Sequence, residues 1–395
     1  MTLATTIFDG LSPQQPDGLL ALIGAYRADP RSGKLDLGVG VYRDHLGRTP
    51  VFQAVKAAER SLVEEQPTKA YLGAEGDLGF LECLKPIVFG AQTSAEVFGV
   101  QTPGGTGALR LAAELLAAGK NGARLFMGAP TWPNHPQIFE PAGLHIVRYD
   151  YFDVETQTVR FDAMMQALAT ASAGDAVLLQ ACCHNPTGAD LDDAQWETLA
   201  ELVETRRLTP VIDLAYQGLG SGLDADATGM RRILDAAPEA LVAYSCDKNF
   251  GLYRERTGAL FALARDPKTL ANAASNILSL ARANWSMPPD HGAAIVRLIL
   301  EDAHLTELWT TELEAMRRRL VEVRATLADH APGLAAVSRH HGMFACLPLT
   351  PDQVTDLRKT HAVYCAGSGR INLAGLTAET IPAFTQAYQA VKQSG

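Results

Sequence analysis

One lysine stands out because of the residues around it. In the stretch SCDKNFGLYRERTG (245–258), Lys248 follows the carboxylate of Asp247 and precedes an Asn-Phe-Gly turn, and Arg256 lies further along the same segment. An amine must lose its proton before it attacks an aldehyde, and partial burial beside a cation lowers its pKa. The pattern favours a Schiff-base lysine for an aldehyde cofactor, with Arg256 and Ser245 on the cofactor's phosphate. A solvated lysine, and an Arg256 that is exposed or paired with Glu255, are the ordinary alternatives.

A glycine-rich segment offers a place for that phosphate. In TPGGTGALRLAAELLAAG (102–119), glycines including Gly105 precede a helical pattern, and Thr106 adds a hydroxyl. Glycines allow close backbone approach, and the first turn of a helix presents free N–H groups and the positive end of its dipole. A plain turn before a helix remains the alternative. The segment is neither GxGxxG nor a Walker A loop, which argues against NAD and ATP.

Four further side chains fit a pyridine ring. Asp213 lies in the apolar run VIDLAYQG, where a carboxylate is costly unless it is paired. It is either half of a buried ion pair or the partner of a protonated pyridine nitrogen, which would keep the ring an electron sink. Tyr216 and Asn185 could share a hydrogen bond with the phenolic oxygen of the cofactor. Trp132 could stack on the ring or be a core aromatic.

Two arginines near glycine or proline turns could bind carboxylates. They are Arg370 in GSGRINLAG and Arg282 in ARANWSMPP. The planar guanidinium group matches a carboxylate with two parallel hydrogen bonds. A dicarboxylic amino acid would use both arginines.

The elements that must position these residues alternate along the chain. Strand, helix, strand in series predicts an α/β fold with a mainly parallel sheet covered by helices on both faces. The predicted strands are 123–130, 143–149, 175–183, 209–216, 240–246 and 257–264, and 193–207 is a helix between two of them. Ligands bind beyond the carboxyl ends of such strands, and Trp132, Asn185, Asp213, Tyr216 and Lys248 all fall there.

A second, smaller α+β domain is predicted from the ends of the chain. Residues 301–330 form a long amphipathic helical pattern, and 338–348 and 367–375 resemble strands beyond it. The segment 35–42 is expected to belong partly with them. The predicted division is an N-terminal arm (1–12), a small domain (13–49 and 301–395) and a large cofactor-binding domain (50–300).

Composition excludes several classes of protein. The chain has 395 residues and a net charge of −10, which argues against a nucleic-acid binder because phosphate contacts need clustered Lys and Arg. The six cysteines show no CxxC pair and no metal-like spacing, so we expect reduced thiols and no metal. We find no signal peptide and no apolar run long enough to span a bilayer, so the expected location is the cytoplasm.

Taken in order, these stretches resemble the class I pyridoxal-phosphate aminotransferases, specifically the aspartate and aromatic amino acid subgroup. The resemblance covers nearly the whole chain and rests on LDLGVGVYRD, TKAYLG, TPGGTGALR, PTWPNH, CCHNPTG, DLAYQG, KNFGLYRERTG and SGRINLAG. It implies the fold-type I architecture of pyridoxal-phosphate enzymes. It also implies a homodimer with active sites shared between subunits.

The resemblance assigns roles to single residues. Lys248 would hold the cofactor as a Schiff base and carry the proton between the substrate's α-carbon and the cofactor. Asp213, with His135 behind it, would meet the pyridine nitrogen. Tyr216 and Asn185 would bind the phenolic oxygen of the cofactor, and Trp132 would cover its ring. The phosphate would be held by Gly105, Thr106, Ser245 and Arg256, together with Tyr71 of the partner subunit. The substrate's α-carboxylate would bind to Arg370, Asn185 and Gly40, and its side-chain carboxylate would bind to Arg282 of the partner subunit.

The chain departs from the family pattern at three positions. Asp247 replaces a serine, and a carboxylate ~4 Å from the phosphate would be repelled by on the order of 4 kcal/mol at a dielectric of about 20. We therefore expect it to turn away or to pair with an arginine such as Arg254. Gln180 replaces a histidine often found near the pyridine-binding aspartate. Met287 replaces an asparagine of strict aspartate enzymes, and its flexible apolar side chain would tolerate aromatic rings.

The expected function is therefore a ping-pong transaminase that moves the amino group of aromatic and dicarboxylic L-amino acids to 2-oxoglutarate. A strict aspartate aminotransferase is the alternative, since Arg282 would serve both. A lyase or decarboxylase on the same fold would not need two substrate arginines. A further alternative is a protein that binds pyridoxal phosphate without catalysis, and only Asp247 favours it.

Overall fold

The computed structural model describes residues 6–13, 18–90 and 96–393. The strands in this part of the chain are β1 (Leu35–Asp36), β2 (Val97–Pro103), β3 (Arg124–Ala129), β4 (His145–Asp150), β5 (Phe152–Asp153), β6 (Thr158–Val159), β7 (Ala176–Gln180), β8 (Thr209–Leu214), β9 (Glu239–Ser245), β10 (Thr257–Ala264), β11 (Phe344–Cys346), β12 (Val363–Tyr364) and β13 (Arg370–Asn372).

The α-helices surround these strands. They are α1 (Gly18–Ala28), α2 (Gln53–Glu65), α3 (Leu78–Phe89), α4 (Gly104–Gly119), α5 (Asn134–Phe139), α6 (Phe161–Leu168), α7 (Asp193–Arg206), α8 (Ala225–Ala236), α9 (Pro267–Asn284), α10 (His291–Glu301), α11 (Ala303–His330), α12 (Pro351–His361) and α13 (Ile381–Gln393). Short 3₁₀ turns occur at Phe8–Gly10, Glu140–Ala142, Pro332–Arg339 and Leu373–Gly375.

Seven strands form the large sheet in the order β2-β10-β9-β8-β7-β3-β4. All neighbouring pairs from β9 to β4 are parallel, and β10 is antiparallel to both of its neighbours. The prediction of a mainly parallel α/β sheet is confirmed. Strand β10 runs the other way because only residues 246–256 connect it to β9, without the helix that a parallel crossover requires.

Helices cover both faces of the sheet. Alternate residues of β9 point to opposite sides: Val242 and Tyr244 join one apolar core, and Leu241 and Ala243 join the other. Helices α4, α5 and α9 close the second core, and most of the remaining large-domain helices close the first. Since both faces are covered, β8 is buried at every position.

A third apolar core lies under the C-terminal elements. It joins the last turns of α11 with α12, α13 and strands β11, β12 and β13. Strand β1 pairs in parallel with β12, so residues 35–36 lie beside 363–364. The domain bounds stay a prediction, and parts of the predicted units (1–5, 14–17, 91–95 and 394–395) lie outside the described residues.

Three predicted elements are shorter in the structure. The pattern 301–330 divides between α10 and α11 because the Asp302 carboxylate accepts a hydrogen bond from the Leu305 N–H (2.9 Å) and caps α11. The strands expected in 338–348 and 367–375 are confined to β11 and β13. All six cysteines are free thiols. No helix in the described ranges is long and apolar enough to cross a membrane.

Candidate active site

Most of the predicted site residues lie at one edge of the large sheet. Trp132 follows β3, Asn185 follows β7, and Lys248 follows β9. Asp213 lies in β8 near its carboxyl end, and Tyr216 comes directly after that strand. Arg256 and Gly104 belong to the same edge because Arg256 precedes the antiparallel β10 and Gly104 follows β2. This edge is the usual ligand position in a parallel α/β sheet.

Lys248 lies over a tyrosine ring within the site. Its Nζ atom is 5.3 Å from the centroid of Tyr216. Burial lowers the pKa of Lys248, Asp247 and Asp213 act to raise it, and Arg256 lowers it again. The net shift is downward, so the amine loses its proton more readily than an exposed lysine does. That is the condition for a nucleophilic amine.

A hydrogen bond to a histidine fixes the orientation of the Asp213 carboxylate. It is 7% exposed, and its Oδ2 atom is hydrogen-bonded to Nε2 of His135 at 3.0 Å. The other ring nitrogen of His135 is 2.7 Å from the Thr131 hydroxyl, and the Trp132 ring meets the histidine edge-on with centroids 5.2 Å apart. The carboxylate is therefore oriented by His135 and, within the described part of the chain, forms no ion pair with an arginine or lysine, so it can face a cationic nitrogen.

Asn185 links the tyrosine to a buried arginine. Its Nδ2 donates to the Tyr216 hydroxyl (3.3 Å), and its Oδ1 accepts from Arg370 (3.4 Å). Arg370 also donates to the Gly38 carbonyl (2.9 Å) and is 8% exposed. Its Nε atom is buried and has no hydrogen-bond partner in the described part of the chain. A buried guanidinium with a free donor fits an incoming carboxylate.

Gln180 holds the loop that carries Asn185. The backbone N–H of Asn185 donates to the Gln180 Oε1 (2.8 Å), and Gln180 Nε2 donates to the Asn185 carbonyl (3.0 Å). The same Nε2 reaches the Thr131 hydroxyl at 3.4 Å. Gln180 is thus two hydrogen bonds removed from His135, and the amide positions Asn185 directly.

The glycine-rich segment and Arg256 form one cradle. Gly104 has φ +68°, and a Cβ built on it would lie 2.7 Å from Nη2 of Arg256. A Cβ on Gly105 would lie 3.1 Å from the Cβ of Ser245. Thr106 is half-buried in the first turn of α4. Only glycine allows this approach, which leaves the free N–H groups of α4 beside Ser245 and Arg256.

Asp247 pairs with an arginine, which is one of the two outcomes expected, but that arginine is Arg256 and not the suggested Arg254. Its carboxylate pairs with Arg256 through Nη1 and Oδ2, and Arg254 is not involved. Arg256 has φ +53° and also donates to the Tyr253 carbonyl (3.3 Å). The Arg256 side chain lies against Gly104 in the cradle. The Asp247 carboxylate therefore lies in the cradle, where it forms an ion pair with the arginine that was predicted to hold a phosphate.

Arg324 and Phe344 were missed by the sequence reasoning. Arg324 is 2% exposed and donates to four carbonyls: Gly342 (3.0 Å), Val337 (3.0 Å), His341 (2.6 Å) and Phe344 (2.6 Å). The Phe344 ring lies edge-on to Tyr216 at 5.9 Å and 4.8 Å from the Arg370 guanidinium. A Cβ on Gly40 would lie 3.1 Å from that ring. Phe344 therefore forms one wall of the site.

Two predicted site residues do not join this group in the single chain. Tyr71 is 95% exposed, and Arg282 is exposed and donates to Ser286. Met287 lies near this surface because the Leu72 N–H is 3.0 Å from its sulfur atom. Both positions are those expected to act on the partner subunit's site.

The residues present fit pyridoxal phosphate. A lysine for the aldehyde, an oriented carboxylate for the pyridine nitrogen, a hydroxyl and amide pair for the phenolic oxygen and a glycine cradle for the phosphate meet at one sheet edge. Each chemical group of the cofactor thus has a matching protein group.

Comparison with known proteins agrees with this geometry. Residues 32–387 match the family model of aminotransferase class I and II. The chain is 54% identical to the tyrosine aminotransferase of Rhizobium meliloti (strain 1021), over 94% of this chain and 97% of that protein. It is 41% identical to the aspartate aminotransferase of Escherichia coli (strain K12), over 98% and 100%. Its fold matches an aromatic-amino-acid aminotransferase from Burkholderia pseudomallei covalently bound to pyridoxal phosphate, with a TM-score of 0.95, 36% identity, and coverage of 98% and 100%.

Proposed function

This chain belongs to the class I and II aminotransferases and is a pyridoxal-phosphate-dependent transaminase, and we propose that it moves the amino group of aromatic and dicarboxylic L-amino acids to 2-oxoglutarate. The observation that carries this assignment is the buried Arg370. Its free Nε donor has no carboxylate partner among the described residues, and Asn185 connects it to the tyrosine over which Lys248 lies. A substrate α-carboxylate on Arg370 would bring the amino acid to the lysine.

Each residue has a defined task in this proposal. Pyridoxal phosphate, when bound, supplies an aldehyde that condenses with amines and a ring that withdraws electrons. Nζ of Lys248 would hold the aldehyde carbon with loss of water. Once the substrate's amine had displaced it, the freed lysine amine would take the proton from the substrate's α-carbon, which its lowered pKa allows. Asp213 holds a proton on the pyridine nitrogen, and Tyr216 and Asn185 hold the phenolic oxygen. Trp132 covers the ring.

The other proposed contacts bind the charged ends of cofactor and substrate. Gly105, Thr106, Ser245 and Arg256 hold the phosphate, and the Gly40 backbone assists Arg370. We further propose a homodimer in which Tyr71 of the partner subunit joins the phosphate and Arg282 of the partner subunit meets a side-chain carboxylate. The supporting observation is exposure: Tyr71 is 95% exposed, and Ile7, Phe8 and Val63 are 88%, 80% and 81% exposed. Large apolar side chains in such number suit a subunit interface.

A strict aspartate aminotransferase is the second candidate. The 41% identity to an aspartate aminotransferase over 98% of this chain favours it. Met287 favours the broader enzyme, because an unbranched thioether adapts to aromatic rings. Arg282 fits both, since either enzyme must bind a second carboxylate.

Visible absorbance of the cofactor-loaded protein tests the proposal. L-aspartate and L-phenylalanine, added separately, should each remove the absorbance band of the protein-bound cofactor, and 2-oxoglutarate should restore it. Loss with aspartate alone would establish the strict aspartate enzyme instead. No response to either amino acid would refute transamination by this chain.

A further inference from the structure

The phosphate cradle already contains a carboxylate. Asp247 is 4% exposed, and its Oδ2 atom pairs with Nη1 of Arg256. Its backbone N–H donates to the hydroxyl of Ser245 (3.3 Å), so both the backbone and the side chain of Asp247 are bound to residues of the cradle. Arg256 in turn lies against Gly104. A phosphate placed among these groups meets a cation whose charge is partly neutralised by Asp247.

The second carboxylate oxygen has no partner. Oδ1 of Asp247 is buried and makes no hydrogen bond within the described ranges. Buried polar atoms are nearly always paired, and an unpaired acceptor is costly. A ligand that brings a hydrogen-bond donor would satisfy this oxygen, whereas a ligand with acceptors alone would not.

A phosphate monoester can bring such a donor in one of its two ionic forms. Its second pKa is about 6, so near neutral pH it exchanges between a monoanion with a P–OH group and a dianion with acceptors alone. Arg256 has five N–H donors and can serve Asp247 and a phosphate together. One added proton would remove the repulsion between two neighbouring anions and supply the missing donor.

We propose that Asp247 makes this cradle bind the phosphate of pyridoxal phosphate with one more proton than a neutral residue at this position would. The proton comes from solvent on binding and lies between a phosphate oxygen and the Asp247 carboxylate, so no other group changes its charge. The inference rests on the proposed function, because it takes pyridoxal phosphate as the ligand.

The other ionisable groups around Asp247 do not supply this proton. They are Arg256, Lys248, Tyr253 and Cys246. Burial raises the pKa of the Tyr253 phenol and of the Cys246 thiol, so both stay neutral near pH 7. Arg256 stays charged because a guanidinium does not titrate in this range. The Lys248 nitrogen can still take up a proton when it is joined to the cofactor, and the visible absorbance of the cofactor follows that proton separately from the ³¹P shift.

Phosphorus NMR of the cofactor-loaded protein tests the proposal. The ³¹P shift, followed from pH 5.5 to 8.5, reports the ionic form of the phosphate. We expect the change from monoanion to dianion at least about one pH unit higher in the unaltered protein than in Asp247→Asn or Asp247→Ser. Two variants are used so that a folding defect in one leaves the other to decide. Asp193→Asn, which removes the carboxylate of the exposed ion pair with Arg232, should behave as the unaltered protein.

Binding to the cofactor-free protein gives a second readout. At pH 8, Asp247→Asn should bind pyridoxal phosphate about tenfold more tightly, whereas its affinity for pyridoxal, which lacks the phosphate, should change less than about twofold. Equal ³¹P midpoints in all proteins, or equal gains for both ligands, would overturn the inference. The proposed function has a separate outcome: a shifted midpoint without any response to amino acids would refute transamination alone.

Discussion

Replacing Arg324 by methionine should destabilise the protein far more than the loss of an exposed arginine does. The guanidinium is buried and holds four backbone carbonyls without a carboxylate partner among its hydrogen bonds. Burial lowers the pKa of Arg324 to about 10, so the group remains charged at neutral pH. Methionine fills similar space but leaves these buried acceptors unpaired.

The size of the effect follows from these contacts. Hydrogen bonds to a charged group contribute about 1.5–3 kcal/mol each, so four contribute about 6–12 kcal/mol. Removing the guanidinium group also removes the cost of burying a cation without an anionic partner. This cost is several kcal/mol, and its removal offsets part of the loss of the hydrogen bonds. The free energy of unfolding should therefore fall by on the order of 3–5 kcal/mol.

Urea unfolding of the cofactor-free protein at pH 7 measures this change. Arg318→Met is the matched control, because Arg318 lies on the same helix with a 70% exposed side chain and should change stability by less than about 0.5 kcal/mol. Arg324→Lys should fall between the two, since an ammonium group has three donors for four carbonyls. Equal stability of Arg324→Met and Arg318→Met would refute the reasoning.

A kinetic effect should accompany the loss of stability. Arg324 holds the carbonyl of Phe344, whose ring contacts Tyr216 and lies near Arg370. In Arg324→Lys, measured where the variant is fully folded, we expect KM for the amino acid to rise by a larger factor than kcat falls, because Arg370, the group that we propose to bind the α-carboxylate, loses its support. An unchanged KM would make Arg324 purely structural.

Three further outcomes test the site. Lys248→Ala should still bind pyridoxal phosphate but lose turnover by about 10²–10⁴-fold, the usual contribution of a positioned base; near-normal turnover would remove Lys248 from its central role. Arg282→Ala should lower kcat/KM for aspartate by at least about tenfold more than for phenylalanine, since only aspartate loses a charge pair; equal losses would make this arginine structural. The hydrogen bond to Asp190 raises the pKa of His341, so its stabilisation is present below the unfolded-state pKa of about 6.5 and is lost as pH rises through the folded-state value. The side chain is 40% exposed, so His341→Gln should lose at most about 1 kcal/mol at pH 5.5 and nothing at pH 9; an equal loss at both would contradict this assignment.

The sheet and its reactive edge could be predicted from the sequence because their signals are local. An apolar run such as 209–214 must be buried on both faces, and a polar residue at its end must face the ligand edge. Asp213 and Lys248 lie at that edge for this reason. The Asn-Pro and Gly-Gly segments also specify their own backbone turns.

Contacts between distant segments could not be predicted in the same way. Arg324 falls on the apolar stripe of α11 with Leu320, Val323 and Leu327. Its position on that stripe marks it as buried, but its four acceptors come from a segment that follows the helix and whose path the sequence does not show. The side-chain amide of Gln180 likewise binds the backbone of a loop and not the neighbouring aspartate.

The choice between Arg254 and Arg256 shows where sequence reasoning fails at the site itself. Both arginines lie close to Asp247 in the chain, and their side chains are identical in charge and reach. The two arginines differ in backbone conformation: Arg256 has φ +53°, an uncommon value for a residue other than glycine. The guanidinium of Arg256 lies against both Gly104 and Asp247. Because the same geometry places a cation in the phosphate cradle and gives it a carboxylate partner, the proposed effect of Asp247 on phosphate binding depends on the position of Arg256 as well as on the charge of Asp247.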